Sequence, residues 1–263
     1  FDGITQGCPN ALGVTISNIT ETTATISWQA TTPTPALGSQ YYYSTSSTSP
    51  NASTEPTGAV ASGLTANISS LLPATKYYAW VRNQCSADQF SAWTASESFI
   101  TECEGVEFIS ENFDLVSPPN LPLCWTKILK NANPFAVVST YKAEYVVSPK
   151  NLVELYDAGA DGDIMLVSPQ IANLNDGKSR VKVYLKGNAT QVIIGTVDKN
   201  NNAGTFTPYE TVSLTGLLWK QFTIDFKEYR RDDKYIAIKL VRNLSEDKTF
   251  VDIDNFLYET TPL

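Results

Sequence analysis

The chain has 263 residues, room for two domains of about 100–160 residues that each bury a core of their own. A net charge of −8 excludes the basic footprint that nucleic acid requires. The absence of histidine excludes Ser-His-Asp and Cys-His catalysis, zinc-peptidase helices and imidazole acid–base chemistry within this chain.

Hydrophobic residues make up 42% and aromatics 11%, so the chain is globular, and no apolar run approaches the ~18 residues of a membrane span. Turn signals recur about every ten residues, the mark of an all-β chain. In the first part, Val14 and Ile16 alternate in one strand, Ala24, Ile26 and Trp28 in a second, and Tyr41-Tyr42-Tyr43 opens a third. Middle strands fall in 59–69. At Leu71-Leu72-Pro73-Ala74-Thr75-Lys76-Tyr77 the chain turns a corner, because Pro73 fixes φ and cannot donate to a ladder. Beyond it Tyr77, Ala79 and Val81 share one face, with Tyr78, Trp80 and Arg82 on the other. A Tyr at this place can bury its ring and return its hydroxyl to the loop backbone, pinning two sheets. A last strand lies near 96–101.

The second part opens with Phe108-Ile109-Ser110-Glu111-Asn112-Phe113-Asp114, then a Pro-rich turn and Cys124-Trp125. Strand patterns follow near 163–171, 180–185 and 191–197. The loop Asp198–Gly204 lacks the Gly and Glu positions of a calcium loop and reads as a hairpin connection. Further strands fall at 219–225, 235–240 and 250–256.

Trp28 with Leu71-x-Pro73-x-Thr75-x-Tyr77 resembles the fibronectin type III family, and 43–50 is similar to its bacterial members in secreted proteins. The ordered motifs of the second part resemble the jelly-roll modules of the MAM, cleaved-adhesin and choice-of-anchor group. The expected fold is therefore all-β: a fibronectin type III sandwich over residues 1–102, then a jelly-roll β-sandwich over 103–263.

The four cysteines allow three pairings. In a type III sandwich the first strand starts where the sixth finishes, which favours Cys8–Cys85. Cys103 follows the seventh strand at the opposite end, beyond the ~7 Å reach of a bridge to Cys8, and so is assigned to Cys124. Four buried free thiols are the alternative. An even count suits an oxidising compartment, and the expected location is extracellular or at the cell surface. No leader is visible, and the chain is expected to be part of a longer polypeptide.

Opening and closing strands of a jelly roll can pair. That would bring Glu111 and Asp114 towards Asp252, Asp254 and Asn255. Oxygen donors without His or Cys favour a hard cation, so Glu111, Asp114, Asp254 and Asn255 are the candidate ligands of a structural calcium, which the resemblance supports. The family commonly carries Asp-Asp where this chain has Asp254-Asn255, and a solvated acidic edge is the alternative. Asp157-x-x-x-Asp161-x-Asp163 is a second acidic cluster that reads first as a loop. Exposed aromatics offer a sugar-stacking surface, with Tyr42, Tyr78, Trp80, Trp93, Tyr209, Trp219 and Tyr229 as candidates against ordinary sheet packing. Five glycosylation sequons, at Asn18, Asn51, Asn67, Asn188 and Asn243, read as incidental in a bacterial chain. Nothing in the carboxylate spacing singles out an acid and a nucleophile.

The resemblance implies non-catalytic adhesion or binding of a glycan or cell-surface protein. The alternatives are an ancillary region of a secreted hydrolase, catalytic elsewhere in its chain, or a passive spacer.

Overall fold

The computed structural model describes residues 7–144, 146–159 and 162–261. The chain divides between Glu104 and Gly105 into two compact units, each with its own apolar core.

The first unit holds β1 (Leu12–Ser17), β2 (Ala24–Gln29), β3 (Ser39–Ser44), β4 (Gly58–Val60), β5 (Thr65–Ile68), β6 (Lys76–Asn83) and β7 (Glu97–Ile100). They form a three-stranded sheet ordered β1-β2-β5 and a four-stranded sheet ordered β4-β3-β6-β7, with every pairing antiparallel. Ile26 and Trp28 from one sheet meet Tyr77, Ala79 and Val81 from the other in the core. At the corner before β6, the Leu72 N–H donates to the Tyr77 hydroxyl at 3.0 Å. A bridge joins Cys8 to Cys85, across 77 residues of sequence.

The second unit runs through β8 (Ile109–Glu111), β9 (Thr126–Lys130), β10 (Val137–Ala143), β11 (Lys150–Asp157), β12 (Asp163–Val167), β13 (Ser179–Gly187), β14 (Gln191–Val197), β15 (Thr207–Ser213), β16 (Lys220–Asp225), β17 (Tyr235–Leu240) and β18 (Thr249–Thr260). One sheet is ordered β10-β11-β18-β13-β16, with β8 also on β18; the other is β15-β14-β17-β12-β9. The chain crosses between the sheets repeatedly, the habit of a jelly roll. Residues at alternate positions face inward: Val181, Val183, Leu185, Val251 and Ile253 from the first sheet pack with Ile164, Leu166, Val192, Ile194 and Ile238 from the second. Cys103 and Cys124 are also disulfide-bonded, and no described cysteine is free.

The outer faces of these two sheets differ. On the five-stranded sheet, Ile128, Met165, Val167, Val197 and Ala237 point outward and are covered by Ala203 and Phe206 from the β14–β15 hairpin connection. On the sheet built around β18, the outward set is polar and aromatic. A bulge at Asn255 shapes it: two residues of β18 stand opposite Val183, since Lys182 pairs with Leu257 but Tyr184 pairs with Asp254. Asn255 takes a φ of 48°, a left-handed conformation that Asn tolerates better than most residues.

Candidate functional site

A straight row crosses four adjacent strands on that open face. Ser139 of β10 pairs with Glu154 of β11, Glu154 with Asp252 of β18, and Asp252 with Lys186 of β13. The Lys186 ammonium lies 4.7 Å from the ring centre of Trp219, which precedes β16. Alternation puts these side chains outward, because Val153, Leu155, Val251, Ile253 and Leu185 between them are in the core. Tyr156, Phe250 and Tyr184, two positions along their strands, flank the row and are half-buried.

Charge in the row is unevenly matched. Lys186 Nζ sits 3.3 Å from Asp252 Oδ2. Burial still holds the pKa of Asp252 above the ordinary carboxylate range, with Lys186 pulling the other way. Glu154 is half-buried and makes no hydrogen bond or ion pair among the described residues. Burial, then the neighbouring Asp252 charge, raises its pKa too. The row therefore offers an acceptor carboxylate, an ion pair and an indole with tyrosines on either side. Hydroxyl donors and the apolar face of a sugar ring complement that set.

The aromatics named from the sequence separate into three groups. Tyr42, Tyr78, Trp80 and Trp93 come together on the outer face of β3 and β6. Ring centres are 5.7 Å apart for Tyr42–Trp80, 6.3 Å for Tyr42–Trp93 and 6.2 Å for Tyr78–Trp80. Trp80 within this strip is fully buried. Tyr209 stacks on Phe226 at 4.5 Å, and Tyr229 packs edge-on against both; its hydroxyl donates to Asp233, so this trio is structural. Trp219 alone belongs to the row.

Of the four oxygen-donor candidates, Glu111 ends the β8–β18 ladder opposite Phe256, Asp254 and Asn255 come just before Phe256 on β18, and Asp114 follows β8. The three carboxylates are engaged with protein donors. Asp254 is fully buried and accepts from the Val147 and Ser148 amides, the Ser148 hydroxyl and the Asn255 amide. Asp114 accepts from the Asn151 amide and from Asn112 Nδ2. Glu111 accepts from the Phe113 amide at 2.6 Å. Asn255 is the bulge residue. Among the described residues no three Asp, Glu, His or Cys side chains group to hold a metal ion. In the second acidic cluster, Asp157 pairs with Arg242 and Asp163 with Lys239, while Asp161 lies outside the described residues.

No family model matches the chain, and no curated protein matches it. Solved structures do. The K2 cleaved adhesin domain of Lys-gingipain is 16% identical, with a TM-score of 0.48 over 58% of this chain and 99% of that one. The family 11 carbohydrate-binding module of the cellulosomal cellulase Lic26A-Cel5E of Clostridium thermocellum is 14% identical, with a TM-score of 0.39 over 60% and 97%. The tandem CBM22-1-CBM22-2 domain of Paenibacillus barcinonensis Xyn10C is 11% identical, with a TM-score of 0.39 over 99% and 95%. These likenesses are to β-sandwich modules and assign no ligand to this chain. No helix among the described residues is long and apolar enough to cross a membrane.

Proposed function

We propose that the chain is a non-catalytic, extracellular glycan-binding or adhesion region, part of a longer secreted or surface-attached bacterial polypeptide. The carrying observation is the Glu154–Asp252–Lys186–Trp219 row on the one outer sheet face that the β14–β15 hairpin leaves uncovered. An unpartnered carboxylate at one end of the row and an indole at the other, with the Asp252–Lys186 ion pair between them, suit a neutral, hydroxyl-rich ligand laid across the strands. Two disulfide-bonded cysteine pairs support an oxidising location. The sheet order of the first unit and the Tyr77 corner support the fibronectin type III reading. The strand crossings of the second support the MAM and cleaved-adhesin reading. A glycan array with the whole chain, followed by calorimetry on the best oligosaccharide, tests the proposal. Trp219→Ala should weaken binding about tenfold, roughly 1.4 kcal/mol. Turnover of that oligosaccharide, abolished by Glu154→Gln, would instead place the chain among hydrolases.

Calcium at the β8–β18 end is a separate proposal. Glu111, Asp114 and Asn255 would supply it with side-chain oxygens, and Asp254, which already accepts from three backbone amides and a hydroxyl, would join only by giving up some of those donors. On this proposal calcium raises the melting point of the second unit relative to EGTA. An unchanged midpoint reads these carboxylates as backbone acceptors alone.

A further inference from the structure

Arg82 is an anomaly in the first unit. Its side chain leaves β6 on the outer face, yet the residue is only 5% exposed. The guanidinium carbon lies 4.3 Å from the ring centre of Phe90 and 4.5 Å from that of Trp93. Nε donates to Gln40 Oε1 at 2.8 Å and Nη1 to the Ala52 carbonyl at 3.0 Å. Nη2 donates to nothing among the described residues, no carboxylate there lies within ion-pair distance, and Glu55 acts on the charge only from farther off. Burial lowers the Arg82 pKa and Glu55 offsets this only in part, so a buried cation without a contacting counterion is costly unless something answers it.

Arg82 lines a pocket of about 520 Å³, open to solvent. That volume is within the usual range for small-molecule sites, about 300–1,000 Å³. Pro50, Phe90 and Trp93 form apolar walls, and Ser49 and Asp88 add polar groups. We propose that this pocket binds the carboxylate of an acidic sugar, a uronic or sialic acid residue, on the free N–H edge of Arg82. A planar guanidinium offers two parallel donors to a carboxylate. The walls match the apolar faces of a pyranose, and the polar groups its hydroxyls. Residues 7–104 carry six acidic side chains against only Lys76 and Arg82, so a single carboxylate is favoured over a polyanion.

This site lies in the first unit and does not depend on the row in the second. The probes are methyl glucuronoside and methyl sialoside, each compared with its methyl ester, which keeps the shape and removes the charge. Titration into the ¹⁵N-labelled full chain should shift the Arg82 Nε–H and Trp93 indole signals for at least one free acid, and the ester should bind at least tenfold more weakly. Asp88→Asn should tighten binding severalfold by removing a like charge from the pocket wall. Arg82→Lys, where near-UV circular dichroism stays native, should weaken it about tenfold; Trp219→Ala should leave it unchanged. Which acid binds identifies the sugar class. Equal binding of acid and ester, or no shift at Arg82 with either acid, overturns the assignment, whatever the outcome at Trp219.

Discussion

Glu154 holds a half-buried carboxylate directly across the ladder from Asp252, and only Asp252 has a lysine. Like charges opposite one another on a sheet destabilise it, by analogy with cross-strand pairs worth roughly 0.2–1 kcal/mol. Glu154→Gln should therefore stabilise the second unit by about that amount at neutral pH, read from urea unfolding, while weakening glycan binding. The pH dependence has a definite sign. Both carboxylates have folded-state pKa values above their ordinary ones. The stability this gives is fully present below the ordinary carboxylate range, near pH ~4, and is lost as pH rises through the folded-state values. Melting points of the second unit should fall over that window, and less steeply in Glu154→Gln; an identical slope in the variant would remove Glu154 as a cause. In the first unit, Tyr77→Phe removes the acceptor of the Leu72 amide and should cost about 0.5–1.5 kcal/mol. An unfolding midpoint equal to wild type would show that the corner is held by packing alone.

β18 organises the second unit because it pairs with β11, β13 and β8 together. Its bulge changes the face parity after Asn255, leaving Asp252 and Asp254 outward before it and Phe256 and Tyr258 in the core after it. Asp254 then fastens the chain at Val147–Ser148 through both carboxylate oxygens. Asp254→Ala should strand these donors and cost about 1–3 kcal/mol or more. Hydrogen exchange should show it first at the Val147 and Ser148 amides; unchanged protection there would mean other groups hold that loop. This fastening was hidden in the sequence, where Asp254-Asn255 reads as an acidic pair. Strands with clean alternation, such as 180–185 and 191–197, were legible. β9, β10 and β11 were not. In β11, Asn151, Leu152 and Val153 are buried in succession, so the period of two is lost where both faces are covered. Missing β11 also hid Glu154, whose partner Asp252 is remote in sequence and adjacent only through the ladder. Arg82 was visible as an outward residue of β6, but its pocket depends on Phe90 and Trp93 beyond the strand.

Each unit of the molecule carries its own core, and the first is also closed on itself by the Cys8–Cys85 bridge. A loop of this length should give roughly 2–4 kcal/mol of stability. Cys8→Ser with Cys85→Ser should lower the first unit's melting point and leave the second unit's unchanged; coincident loss of both would show that they unfold as one. The open sheet face of the second unit is proposed as a glycan platform. Calorimetric titration of the best array-identified oligosaccharide into wild type and Trp219→Ala tests it most directly. Wild type should bind saturably and the folded variant about tenfold more weakly; equal affinities would rule out a glycan platform on this face.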